Sequence, residues 1–183
     1  MRVFASLLFI CFLLVYSCQM GTTNEKHRHL KTEKNKALFE MTNDKLWNYL
    51  VFENGGCLTG GQHVYGGKFG GEGCVMSESD DWKIFFERDK SQISNFLIAK
   101  IIGDTTKTSI HTCPFSNATE GEVAIYSLQK IYGLNWFDFE EFNEYQNRES
   151  ESSRENHQAW LQNILEDESK KEMLIDLWTT KIK

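Results

Sequence analysis

The chain has a single proline, Pro114, and outside one segment it has little glycine: nine of its thirteen glycines lie between Gly55 and Gly73. Elsewhere, then, few residues oppose a helix. Past the first 16 residues no apolar run is long enough to span a bilayer. Positive charge is in deficit, with 20 Lys and Arg against 26 Asp and Glu for a net charge of −6. The basic residues are scattered, not gathered into a stripe, which excludes nucleic acid as a partner. An acidic surface serves solubility, or it speeds encounter with a basic protein. No two of the five histidines, His27, His29, His63, His111 and His157, stand at i, i+4 as a helical metal site requires, so no metal is expected. The phosphate-loop pattern is missing as well, since Gly67-Lys68 leads into Phe69 and not into Ser or Thr. No cofactor is implied.

The leader carries the clearest signal in the chain. Arg2 is followed by apolar residues from Val3 to Tyr16 and then by the small Ser17, the layout of an export signal. Val15-Tyr16-Ser17-Cys18 resembles the lipobox of bacterial membrane lipoproteins. That resemblance covers the signal alone. It implies cleavage after residue 17, acylation of Cys18 (palmitate among the chains), and anchoring to a bacterial cell membrane or outer membrane with the domain in the periplasm or at the cell surface. The 166 residues that remain carry a charge of −7 and suit one domain with its own core. With Cys18 lipidated, Cys57, Cys74 and Cys113 are left, and three single pairings are open. Cys57–Cys74 is the most local, a disulfide worth about 3 kcal/mol if unstrained.

Residues 18–36 are polar, with almost nothing to bury, and read as a flexible tether ahead of a single helical domain over 37–183. A first helix is expected from Thr42 or Asn43 to Val51, on the spacing of Leu46, Trp47 and Leu50. The Gly55–Gly73 stretch is an irregular loop. Trp82–Phe86 suits either a strand or the start of a helix. A largely buried helix follows, capped by Asp89 or Ser91 and running to Ile102, with Ile98 and Ile102 widening its apolar face and Gly103 ending it. Thr105–Thr112 reads as a polar connector. Thr119 and Glu122 form a capping box for a helix that stops at Gly133. Glu140–Asn156 reads as a polar, solvent-exposed connection broken only by Phe142 and Tyr145, and of the aromatic cluster here Trp136 and Phe139 pack beneath a closing helix pair while only Phe142 or Tyr145 reaches solvent. That pair spans about 155–165 and 169–181, the second helix presenting Met173, Leu174, Leu177 and Trp178. The expected fold is mostly α: four to five helices, a Gly-rich loop, and at most one or two short strands.

Chemistry has two candidate locations. In the glycine-rich loop, paired glycines let a ligand approach the backbone, and His63, Tyr65, Lys68 and Phe69 are its contact residues. The other is His111-Thr112-Cys113, near Asn117 and Glu120, where a thiol and an imidazole share a side if the segment is extended. Asn117-Ala118-Thr119 also matches a glycosylation acceptor, relevant only in a eukaryotic host. The residues favour a non-enzymatic protein-binding module, inhibitor- or immunity-like, over the alternative of an exported hydrolase using Cys113 and His111. Its expected partners are the membrane, through Cys18, and a basic protein.

Overall fold

A computed structural model of the chain describes residues 31–58, 64–66, 79–103, 106–112, 116–149 and 155–183. Two compact units are present, Met1–Glu40 and Met41–Lys183. In the first, a helix, α1, covers 31–40, so residues 31–36 of the expected tether are helical. Lys, Glu, Ala and Leu there are good helix formers, and the exposed Lys36 and Glu40 approach to 4.0 Å across one turn.

The second unit opens with α2, Asn43–Asn48, whose N-cap Thr42 accepts from the Lys45 amide. The chain continues as a π-helical turn, Tyr49–Asn54, and leaves it at Gly55 with φ +64° and ψ −153°. Only glycine adopts that conformation readily, and a Cβ at Gly55 would lie 2.5 Å from the Ser109 carbonyl oxygen. Strand β1, Gly56–Leu58, follows at once.

Trp82–Phe86 belongs to a helix, α3, Asp80–Phe86. Ser79 caps it by accepting from the Trp82 amide at 3.2 Å, and Asp80 and Asp81 occupy the first turn, where the helix dipole favours acid. Asp89 caps α4, Lys90–Ile102, through the Gln92 amide at 2.8 Å. Arg88, between the two helices, donates to Asn43 Oδ1 at 2.6 Å and to the Met41 carbonyl at 2.7 Å, tying this corner to the start of α2. Ile93, Leu97 and Ile101 of α4 are buried, but Ile102 is 61 % exposed, so the face is narrower than the sequence implied.

The expected connector before Thr112 is a strand, β2, Lys107–Thr112, and β3, Ser116–Thr119, pairs antiparallel with it. β1 pairs parallel on its other side, giving the order β1-β2-β3. Among the described residues, three strands therefore stand where one or two were expected. β2 alternates exposed and buried residues, but two of its three inward positions are threonines. Thr108 Oγ1 donates to the Ala118 carbonyl at 3.0 Å and Thr112 Oγ1 to the Ser116 carbonyl at 3.2 Å, so their methyl groups are buried without an orphaned hydroxyl.

α5, Glu120–Tyr132, is the central element, buried without interruption from Gly121 to Gln129. Its start is the expected capping box: Thr119 Oγ1 accepts from the Glu122 amide at 3.1 Å, and the Glu122 carboxylate accepts from the Thr119 amide. Gly133 ends it in the left-handed region, at φ +63° and ψ +36°. Two 3-10 turns follow, Trp136–Asp138 and Glu140–Tyr145, and the later one takes the place of the first part of the expected exposed connection. The second folds Phe142 and Tyr145 inward onto Trp136, at ring separations of 6.0 and 5.2 Å, so both are buried and neither reaches solvent as expected.

The closing pair is α6, His157–Glu166, and α7, Glu168–Ile182, joined through Asp167 and packed together. α4 packs on both α5 and α7. At the other end of the core, Trp47 meets Trp82, Phe85 and Phe96, and its indole N–H donates to Glu120 Oε1 at 2.7 Å. The protein is mostly α with a small three-stranded sheet, and no helix among the described residues is long and apolar enough to cross a membrane.

Candidate functional site

Three faces of the Met41–Lys183 unit carry residues with chemical potential. The outer face of the sheet holds the first group. Cys57 of β1 is in register with His111 of β2, which is in register with Asn117 of β3. Cys57 and His111 are exposed, His111 as the alternation of β2 requires. Neighbouring strands lie about 4.8 Å apart, so a thiol, an imidazole and a carboxamide form one row across the sheet. The Asn117 side-chain amide is already engaged, donating to the Thr108 carbonyl at 2.8 Å. Ser109, on the same face, donates to the Phe52 carbonyl at 2.6 Å and ties β2 to the π-helical turn. Beside the row, Cys57, Gly55, Ser79 and Trp82 border a small cavity of about 150 Å³. The sequence pairs His111 with Cys113 and Cys57 with Cys74; Cys113 and Cys74 lie outside the described residues.

The contact set expected in the glycine-rich loop is described only at Tyr65, since His63, Lys68 and Phe69 lie outside the described residues, as does Cys18. The Tyr65 amide donates to Asn135 Oδ1 at 2.7 Å, and Asn135 Nδ2 donates back to the Tyr65 carbonyl at 3.2 Å. Its ring lies over Gly133, 3.2 Å from where a Cβ would stand. Tyr65 thus fastens its segment to the end of α5.

Glu122 and His157 have pKa values shifted by their withdrawal from water. Glu122 is fully buried; its carboxylate accepts from the Tyr126 hydroxyl at 2.7 Å and from Gln162 Nε2 at 3.0 Å. Burial pushes its pKa up to about 7, against the lowering effects of those donors, the Thr119 amide and Lys107. The His157 ring packs at a tilt of 36° on Phe137, centroids 4.3 Å apart, and burial lowers its pKa. Its Nε2 is 3.0 Å from the Tyr145 carbonyl, which can only accept, so Nε2 carries the proton. No cluster of three or more metal-ligating side chains occurs among the described residues.

The third face is one the sequence did not single out. Of the stripe expected on α7, Leu174 and Trp178 are buried, whereas Met173 is 43 % exposed and Leu177 half-buried. Together with Phe139, whose ring stands edge-on to Trp178 at 5.1 Å, they border an open channel of about 760 Å³. Glu141, Glu172 and Asp176 line the same channel. A sign was present in the sequence: Glu168, Glu172 and Asp176 recur every four residues beside Met173 and Leu177. No protein-family model, curated protein or solved structure matches the chain.

Proposed function

We propose that this chain is an exported, lipid-anchored protein-binding module, held at a bacterial membrane through Cys18 and acting without catalysis, in the manner of an inhibitor or immunity protein. The partly uncovered apolar stripe of α7 carries the reading. A helix that leaves Met173 exposed and Leu177 half-buried, beside acids that form no ion pair among the described residues, keeps a contact surface open. The export signal and the Cys18 lipobox supply the location, and the net charge of −6 suits a basic partner.

The test is purification of the protein from its own membranes in mild detergent, with intact-mass measurement and identification of stoichiometric companions. A diacylglyceryl-type mass on Cys18 and a co-purifying protein are expected. Cys18→Ser should release the chain from the membrane; a Cys18→Ser chain that stays membrane-bound would refute the anchor.

The Cys57–His111–Asn117 row favours a second reading, an exported thiol hydrolase. Cys113 remains the alternative nucleophile for His111. Turnover of activated acyl esters, abolished by His111→Ala and by one of Cys57→Ser or Cys113→Ser with the thermal midpoint unchanged, would replace the binding reading.

A further inference from the structure

α7 has more apolar surface than its neighbours cover. Its inward seam is Lys171, Leu174 and Trp178, and the rest of its apolar stripe, Met173 and Leu177, turns aside to face Phe139 across the channel. On the far side of the helix a second cavity, of about 310 Å³, is bordered by Ile102 and Ile175. Glu172 and Asp176 border both. This ridge of acid between two apolar strips works against the helix that carries it, because like charges at i, i+4 are destabilising. Among the described residues, neither acid nor Glu141 opposite is in an ion pair. Cations from outside would relieve them.

We infer that the α7 channel docks a cationic amphipathic helix of a partner protein, a proposal that rests on the binding-module reading. The partner's apolar side would lie on Phe139, Met173 and Leu177, and its Lys or Arg residues would reach Glu141, Glu172 and Asp176. The channel follows α7 from Ser169 to Lys181, a run of about 18 Å, or three turns of an opposing helix. Methionine on the floor adapts to the side chains presented to it. A phosphate-rich partner is repelled by the same acids. A second copy of the chain is disfavoured too, because its own channel would bring three acids, Glu141, Glu172 and Asp176, against a single lysine, Lys181.

The probe is a synthetic helix of about 14 residues, long enough to fill the channel, with leucines on one face and lysines flanking them. Its binding to the full Cys18→Ser chain is read by fluorescence anisotropy at roughly 0.15 M salt, where distant charges are screened. Saturable binding is expected, weakened about tenfold or more by Met173→Ser with Leu177→Ser, a change that leaves the net charge untouched. Glu172→Gln with Asp176→Asn should also weaken binding and flatten its salt dependence. Far-UV circular dichroism and the thermal midpoint establish that each variant is folded. Equal binding by the serine variant would overturn the proposal, and so would a dimer in sedimentation that Leu177→Ser dissolves, since the occupant would then be a second copy. If a co-purifying partner survives the serine substitutions, the docking site is wrong and the module reading stands. If the peptide binds in the channel but no protein accompanies the native chain, the module reading fails instead.

Discussion

At the scale of single residues, Glu122 shows how burial and hydrogen bonding oppose each other. Three donors converge on a carboxylate that water cannot reach, and desolvation still outweighs them, raising the pKa from 4.5 to about 7. The folded state therefore holds a proton that the unfolded state has released throughout the window between those values. Stability from this group is complete below about pH 4.5, falls as the pH rises towards 7, and is level above that. The loss is on the order of a few kcal/mol. Gln162 lets the site accept either form: its amide donates to the carboxylate and, turned end for end, accepts from the carboxyl. Glu122→Gln should accordingly be tolerated, and the difference in stability between variant and wild type should grow in the variant's favour from pH 4.5 to 7. His157, its pKa lowered by burial, contributes an opposite slope just below pH 6.5, but that slope is common to both proteins and cancels. Denaturant melts at half-unit pH intervals would measure the difference, and a constant offset across the window would refute the assignment.

At the scale of elements, the chain was legible wherever a local rule decided the outcome. The capping box at Thr119, the left-handed stop at Gly133 and the cap at Asp89 are contained within a few residues, and each stands where the pattern puts it. β2 was not legible, because its inward side relies on threonine methyl groups whose hydroxyls find partners only once β3 is in place. The Glu140–Tyr145 turn was hidden for a related reason, since Phe142 and Tyr145 are buried by Trp136 and not by their polar neighbours. For the candidate sites, the sequence isolated His111 but could not align it with Cys57, 54 positions earlier, because strand register is set by the fold. Gly103 and Gly133 show what such reading leaves open, because both end helices and look alike on paper. Gly103 has φ −81°, with ordinary space around its α-carbon, whereas Gly133 has φ +63° under the Tyr65 ring. Gly133→Ala should cost about 1–2 kcal/mol. Gly103→Ala should be neutral or add up to about 1 kcal/mol, through loss of unfolded-state freedom. Thermal midpoints of the two variants moving together would contradict this distinction.

At the scale of the whole molecule, charge is divided along the chain. From Met41 onward there are 14 basic and 23 acidic residues, a net of −9, while the first 40 residues carry +3. An acidic body attracts a cationic partner from beyond contact range, and salt weakens that attraction over a Debye length of about 8 Å at physiological ionic strength. In the complex proposed on the α7 channel, the holding contribution is the covered surface of Phe139, Met173 and Leu177, which salt screens little. The two contributions therefore separate in kinetics. Raising salt from about 0.05 to 0.5 M should slow association of the lysine–leucine helix by tenfold or more while its dissociation rate changes little. Met173→Ser with Leu177→Ser should do the reverse, speeding dissociation with association nearly unchanged. Stopped-flow mixing over this salt range, with both proteins, resolves the two rates. If salt acted mainly on dissociation, the contacts of Glu141, Glu172 and Asp176 would hold the complex more than they steer it, and the apolar floor would lose its place as the holding surface.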